Sequence, residues 1–130
     1  MASIFTKIIN GEIPCYKVAE NERCVAFLDI SPRAKGHTLV VPKNEVNQLF
    51  DLPDTDYNEL LKFTKQVAAA IKSAVPCKRV GVAVIGLDVP HAHIHLIPLE
   101  NSEDMNFKNP PVIVDTEEMK SIAKTIGETM

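Results

Sequence analysis

The chain has 130 residues, 45% hydrophobic and 24% charged, with a formal net charge of −3. That length fits a single domain over residues 1–130, able to bury an ordinary core without disulfides or a metal. No basic cluster stands out, which argues against a nucleic-acid backbone as the main partner, and no apolar run is long enough to span a bilayer.

Cys15, Cys24 and Cys77 are odd in number and lack a Cys-x-x-Cys spacing, so free thiols in a reducing compartment are expected. The stretch from Met1 to Pro14 is broken by Lys7, Asn10 and Glu12 and does not read as a signal peptide. A cytoplasmic protein is the expectation.

In chain order, Ser3 is a candidate cap for a short helix over Ile4 to Ile9, ended by Asn10-Gly11. Lys17 to Ala19 and Cys24 to Leu28 read as strands around an Asn21-Glu22 turn. After a loop with Asp29, Ser31, Pro32 and Gly36, the segment His37 to Val41 reads as a strand stopped by Pro42. Tyr57, Leu60, Leu61, Thr64, Val67, Ala68, Ile71, Ala74 and Val75 keep a helical period, predicting a helix from about Asp54 to Val75, closed by Pro76. Val80 to Ile85 and His91 to Leu99 are predicted strands joined by a turn over Gly86 to Pro90, an antiparallel hairpin. A polar loop from Glu100 to Pro111 precedes a helix over Asp115 to Glu128, with Asp115 or Thr116 as its cap. Strands, one long helix and few βαβ units define an α+β class.

Three of the four histidines fall in His91-Ala92-His93-Ile94-His95. In a strand they share one face, successive Cα atoms about 7 Å apart, while Ala92, Ile94 and Leu96 point to the other. Neighbouring imidazolium ions repel, so clustered imidazoles mark a site rather than a scaffold. Two chemistries suit them. A His-x-His pair with a third ligand, such as His37, can hold zinc. Alternatively, one neutral imidazole attacks phosphorus, a second donates a proton to the leaving group and a third holds phosphate oxygens.

His-x-His-x-His followed by Leu96-Ile97 resembles the histidine triad (HIT) family of nucleotide hydrolases and transferases. Ser3 to Pro14 is similar to that family's N-terminal segment, Cys24 to Pro32 to its nucleoside-binding strand and loop, and Gly36 to Lys43 to a further block. The resemblance implies a HIT-like α+β fold, an antiparallel sheet of about five strands with flanking helices, paired as a homodimer with a continuous sheet. It implies that His93 is nucleotidylated on the α-phosphorus, its other ring nitrogen donating to a backbone carbonyl. By the same resemblance His95 and His37 contact phosphate oxygens, and His91 lies near the leaving group and the nucleophile. Asp29 is implied to bind the ribose hydroxyls, and Ile4, Phe5, Ile8, Ile13, Phe27, Ile30 and Leu39 to line the base and ribose of a purine nucleotide. From the residues alone, Asp29 also reads as a loop cap and the apolar positions as core.

The sequence departs from the family in three places. Ser3, Thr6 and Glu45 stand where many bacterial members carry Cys, Cys and His as structural zinc ligands, so no such zinc and no other cofactor is expected. Gly86-Leu87-Asp88-Val89-Pro90 replaces the Gly-Gln pair, or serine, before the triad, and Leu99 replaces an arginine. The expected activity is hydrolysis or transfer at the α-phosphate of a nucleoside phosphoramidate or adenylate-like substrate. Rival readings are a dinucleoside polyphosphate hydrolase, a zinc protein and a nucleotide-binding regulator with little catalysis.

Overall fold

The computed structural model describes residues 2–130. Its centre is an antiparallel five-stranded sheet in the order β1-β2-β3-β5-β4, formed by β1 (Lys17–Glu20), β2 (Cys24–Leu28), β3 (Thr38–Pro42), β4 (Arg79–Ala83) and β5 (Ile94–Leu99). Helices α1 (Ile4–Ile9), α2 (Asp54–Ala74) and α3 (Thr116–Glu128) flank it. No described helix is long and apolar enough to cross a membrane.

Local chemistry sets the helix ends. Ser3 caps α1, its hydroxyl accepting from the Thr6 N–H, and Gly11 at φ 80° turns the chain away. Asp54 and Asp56 occupy the first turn of α2, where carboxylates complement the helix dipole. Asp115 caps α3 through the Glu118 N–H.

Period-two alternation gives the sheet two different faces. On one, Cys24, Ala26, Leu28, Val40, Ile94 and Leu96 pack under Leu60, Phe63, Val67 and Ile71 of α2 and under Met119, Ala123 and Ile126 of α3. On the other, Val25, Phe27, Leu39 and Val41 meet Phe5 and Ile8 of α1. The helices thus bury one face in bulk, and the second is covered only by the short α1 and by loops.

Two expectations are corrected. The last strand begins at Ile94, not His91. Its ladder with β3 ends at the Val40–Ile94 pair, because the Ala92 N–H donates to Val46 O and the His91 N–H to Val89 O. Similarly, β4 ends at Ala83, so residues 84–93 make a long connection rather than a tight hairpin turn. The two strands still pair, Ala83 opposite His95.

Candidate active site

The site is assembled from α1, the end of β2, the loop of residues 29–36, β5 and the 84–93 connection. They enclose a cavity of about 390 Å³, within the ~300–1,000 Å³ usual for small-molecule sites. Phe5, Ile8, Ile13, Phe27, Asp29, Ile30, Leu39, His93 and His95 all line it. His91 and His37 are buried behind that wall, 0% and 1% exposed, where the sequence leaves His37 equally readable as an exposed loop residue. The cavity also takes in Arg33, Phe107 and Asp88.

His91 is fixed at both ring nitrogens. Nε2 lies 2.7 Å from Pro42 O, a carbonyl that can only accept, so Nε2 carries the proton. Nδ1 then accepts from the Ser3 hydroxyl at 2.7 Å. Burial, with the field of His93 adding to it, outweighs these contacts and holds His91 below the usual histidine range. The His91 carbonyl in turn accepts from His93 Nδ1 at 2.8 Å. In the neutral ring this leaves Nε2 of His93 as the nitrogen with the lone pair. Phe5 braces that imidazole edge to face, ring centroids 5.0 Å apart.

A second chain of hydrogen bonds fixes His95. The Arg33 backbone N–H donates to His37 Nδ1 at 3.0 Å, so His37 carries its proton on Nε2. That proton is shared with His95 Nδ1 at 3.0 Å, which leaves His95 a donor at Nε2. Burial, reinforced by His95 and Arg33, pushes His37 down to about 3. Burial and the neighbouring His93 push His95 to about 4. Both rings are therefore neutral near pH 7. Gly36 makes the inward turn before His37 possible: it sits at φ 98°, and a Cβ there would lie 3.1 Å from the Val75 side chain.

Asp29 caps its loop, as the residues alone suggest, and also lines the cavity. Oδ1 accepts from the Ser31 N–H at 2.8 Å and caps the loop, while Oδ2 lies 3.5 Å from His37 Nε2. Burial pushes its carboxyl above the usual aspartate value. A carboxylate lining an apolar cavity is suited to accept from paired hydroxyls.

Neither metal site suggested by the chemistry fits. The facing atoms of Asp29, His37 and His95 lie within 4.8 Å of one another, but a metal-bound histidine normally donates from its other nitrogen. His37 Nδ1 accepts instead, so Nε2 has no lone pair to offer. At the positions of the bacterial structural zinc, Glu45 Oε1 accepts from the Ser3 N–H at 2.7 Å and from the Thr6 hydroxyl at 2.6 Å. Those two hydrogen bonds hold the Glu45 carboxyl down to about 2. Hydroxyls and an engaged carboxylate replace the thiolate and imidazole ligands zinc favours. They tie α1 to His91 by hydrogen bonds instead.

Arg33 and Phe107 are among the lining residues that the sequence did not single out. Phe107 is a lone aromatic in a polar tail, and Arg33 one of two cations, with Lys35, in a loop; neither sits in a pattern that a periodicity would reveal. Their place depends on a contact between segments far apart in the chain.

An open sheet with one face covered only in part, a mostly apolar cavity and hydrogen-bonded imidazoles in its wall define a histidine-based candidate site. The chain belongs to the HIT family: the HIT domain profile matches residues 10–102. It is similar to the adenosine 5'-monophosphoramidase hnt1 of Schizosaccharomyces pombe, 35% identical over 98% of this chain and 97% of that one. Among solved structures, a Hit-like protein involved in cell-cycle regulation from Bartonella henselae superposes with a TM-score of 0.86 at 32% identity, covering 98% and 96% of the two chains. A hypothetical histidine triad nucleotide-binding protein from Sulfolobus tokodaii gives 0.82 at 32% identity, covering 97% and 90%.

Proposed function

We propose that this protein hydrolyses a purine nucleoside phosphoramidate, or a related adenylate-like substrate, at the α-phosphorus through a nucleotidyl-His93 intermediate. The observation that carries the reading is the 2.8 Å contact from His93 Nδ1 to the His91 carbonyl, which leaves Nε2 as the attacking nitrogen. The name of the similar fission-yeast enzyme, an adenosine 5'-monophosphoramidase, supports it.

The base and ribose lie among Phe5, Ile8, Ile13, Phe27, Ile30 and Leu39, with Asp29 accepting from the ribose hydroxyls. Nε2 of His93 attacks phosphorus, an N–P bond forms, and the bond to the leaving group breaks; from a phosphoramidate that group takes up a proton from water and departs as an amine, and from an acyl adenylate it departs as a carboxylate. Water then attacks the same phosphorus, the N–P bond breaks, and the nucleoside monophosphate leaves as the water's proton passes to solvent. His95 donates from Nε2 to a phosphate oxygen in both steps. His37 acts through His95, and His91 through its carbonyl.

Leaving-group choice rests with Asp88. Its exposed carboxylate stands at the cavity rim in the 84–93 connection. There it favours a cationic or neutral amine and repels a polyphosphate, which places dinucleoside polyphosphates second. Side-by-side assays of adenosine 5'-phosphoramidate and a diadenosine polyphosphate test this. The phosphoramidate should be cleaved faster, and Asp88→Asn should narrow the ratio about 3–10-fold, the worth of one partly screened charge. Faster polyphosphate cleavage, or no phosphoramidate cleavage at all, would overturn the proposal.

The protein also works as a homodimer in this reading, with two copies of β4 paired into one continuous sheet. The two sheet edges differ. β1 is short, irregular in register near Lys17, and carries the Lys17–Glu20 ion pair. β4 presents Val82, 60% exposed, on an unprotected edge. Sedimentation should give a dimer that Val82→Lys converts to monomer; a monomeric wild type at micromolar concentration would end the idea.

A further inference from the structure

The tail after β5 does not run free. A 3₁₀ turn over Ser102–Met105 is closed by Asn101 and Asp104, and the following segment returns to the loop of residues 29–36. Arg33 Nη1 donates to the carbonyls of Asn106 and Asn109, and the Val112 N–H donates to Pro32 O at 2.9 Å. Phe107, between those anchors, sets its ring against the imidazoles. Its centroid lies 5.0 Å from His95 and 6.2 Å from His37, nearly perpendicular to both. The Arg33 guanidinium sits 5.8 Å from the same ring. Phe107 also lines the cavity beside His95.

We propose that Phe107, clamped by Arg33, is a positioning residue that shields the His37–His95 pair from water, so that His95 keeps its proton on Nε2 and directed at the phosphate. The inference rests on the proposed function for its catalytic meaning, but its physical content concerns the imidazole pair itself. Without the ring, water reaches His95 from the tail side. The desolvation that disfavours the imidazolium then weakens, and Nδ1 gains a competing donor to the one His37 supplies.

Other titratable or charged groups lie around His95: His37 before β3, Asp29 at the end of β2 and His93 before β5, with Arg33 in the loop against Phe107. None is removed by changing Phe107, so a change in His95 titration on that substitution reports the shield.

The test is a pH titration of the histidine ring nitrogens by NMR in the nucleotide-free protein, for wild type, Phe107→Ala, Phe107→Leu and Arg33→Gln. Phe107→Ala should raise the His95 titration by about one pH unit or more, toward the unburied histidine value. Phe107→Leu, which keeps an apolar cover, should restore most of the wild-type behaviour. Arg33→Gln, which loosens the strap, should fall between wild type and Phe107→Ala. In turnover, Phe107→Ala should lower kcat about tenfold with KM changed less than threefold, as expected of an interaction used in the transition state. An unchanged His95 titration in Phe107→Ala would overturn the proposal. The titration needs no substrate, so an inactive wild type would count against the proposed function while leaving the shield measurable.

Discussion

Replacing His93 with alanine is expected to abolish turnover, lowering kcat about 10⁴-fold or more while nucleotide affinity stays within severalfold of wild type. The magnitude follows from removing the proposed nucleophile, which no neighbour can replace. His95 Nδ1 is engaged by His37 Nε2, and both ring nitrogens of His91 are spent on Ser3 and Pro42. Binding survives because the apolar lining and Asp29 are untouched. In quenched wild-type reactions, mass spectrometry should find one nucleoside monophosphate group on His93. Substantial residual turnover in His93→Ala, or an adduct on another residue, would show that the covalent route is wrong. His95→Asn gives the complementary result: it keeps a side-chain donor near the phosphate, so part of the rate should remain.

Much of this arrangement is legible in the sequence, and the illegible part has a physical cause. The helical period from Tyr57 to Val75 predicts α2 to within one residue, because the amphipathic pattern is long; the helix itself ends at Ala74, with Val75 as its extended cap. The alternation through Ala92, Ile94 and Leu96 assigns one side of the last strand to the core, and all three belong to it. Where that strand begins is another matter. It is decided by Val46 O accepting from the Ala92 N–H, a tertiary contact that carries no periodic signal. The depth of His37 is hidden in the same way. Its segment reads as the start of a strand after a glycine, and only the pairing with Arg33 N–H and His95 makes it a buried relay. Arg33 and Phe107 illustrate the limit, since the Arg33–Asn106 contact joins residues 73 positions apart.

The three substitutions at Ser3, Thr6 and Glu45 acquire a structural meaning beyond the missing zinc ligands. A metal would fix the approach to His91 with rigid, short bonds. Here the Ser3 hydroxyl and the Glu45 carboxylate do so with hydrogen bonds, which are individually weaker and depend on protonation state. The His93 imidazole is oriented through the backbone carbonyl of the residue they hold. The tautomers of all four histidines therefore trace back to backbone groups or to Ser3, none of which titrates in the working pH range.

That dependence on neutral imidazoles predicts marked loss of stability in mild acid. His37 holds its proton off to about 3 and His95 to about 4 in the folded protein, whereas the unfolded chain protonates both near pH 6.5. Between those limits the unfolded state binds more protons, so stability rises with pH; it is fully present above about 6.5 and is lost as pH falls toward 4 and then 3. Near pH 5 the two rings together give a slope approaching two protons per molecule. His91, also depressed, adds in the same direction, while Asp29, whose carboxyl is raised, opposes it. Denaturant unfolding at intervals from pH 7 to pH 5 measures the slope above the range where ordinary carboxylates titrate. His37→Gln should cut it by about one proton, and the variant should retain more of its neutral-pH stability at pH 5 than wild type does. A flat stability profile between pH 6.5 and pH 5 would mean that the buried imidazoles are solvated in the native state, and the relay from Arg33 through His37 to His95 would fall with it.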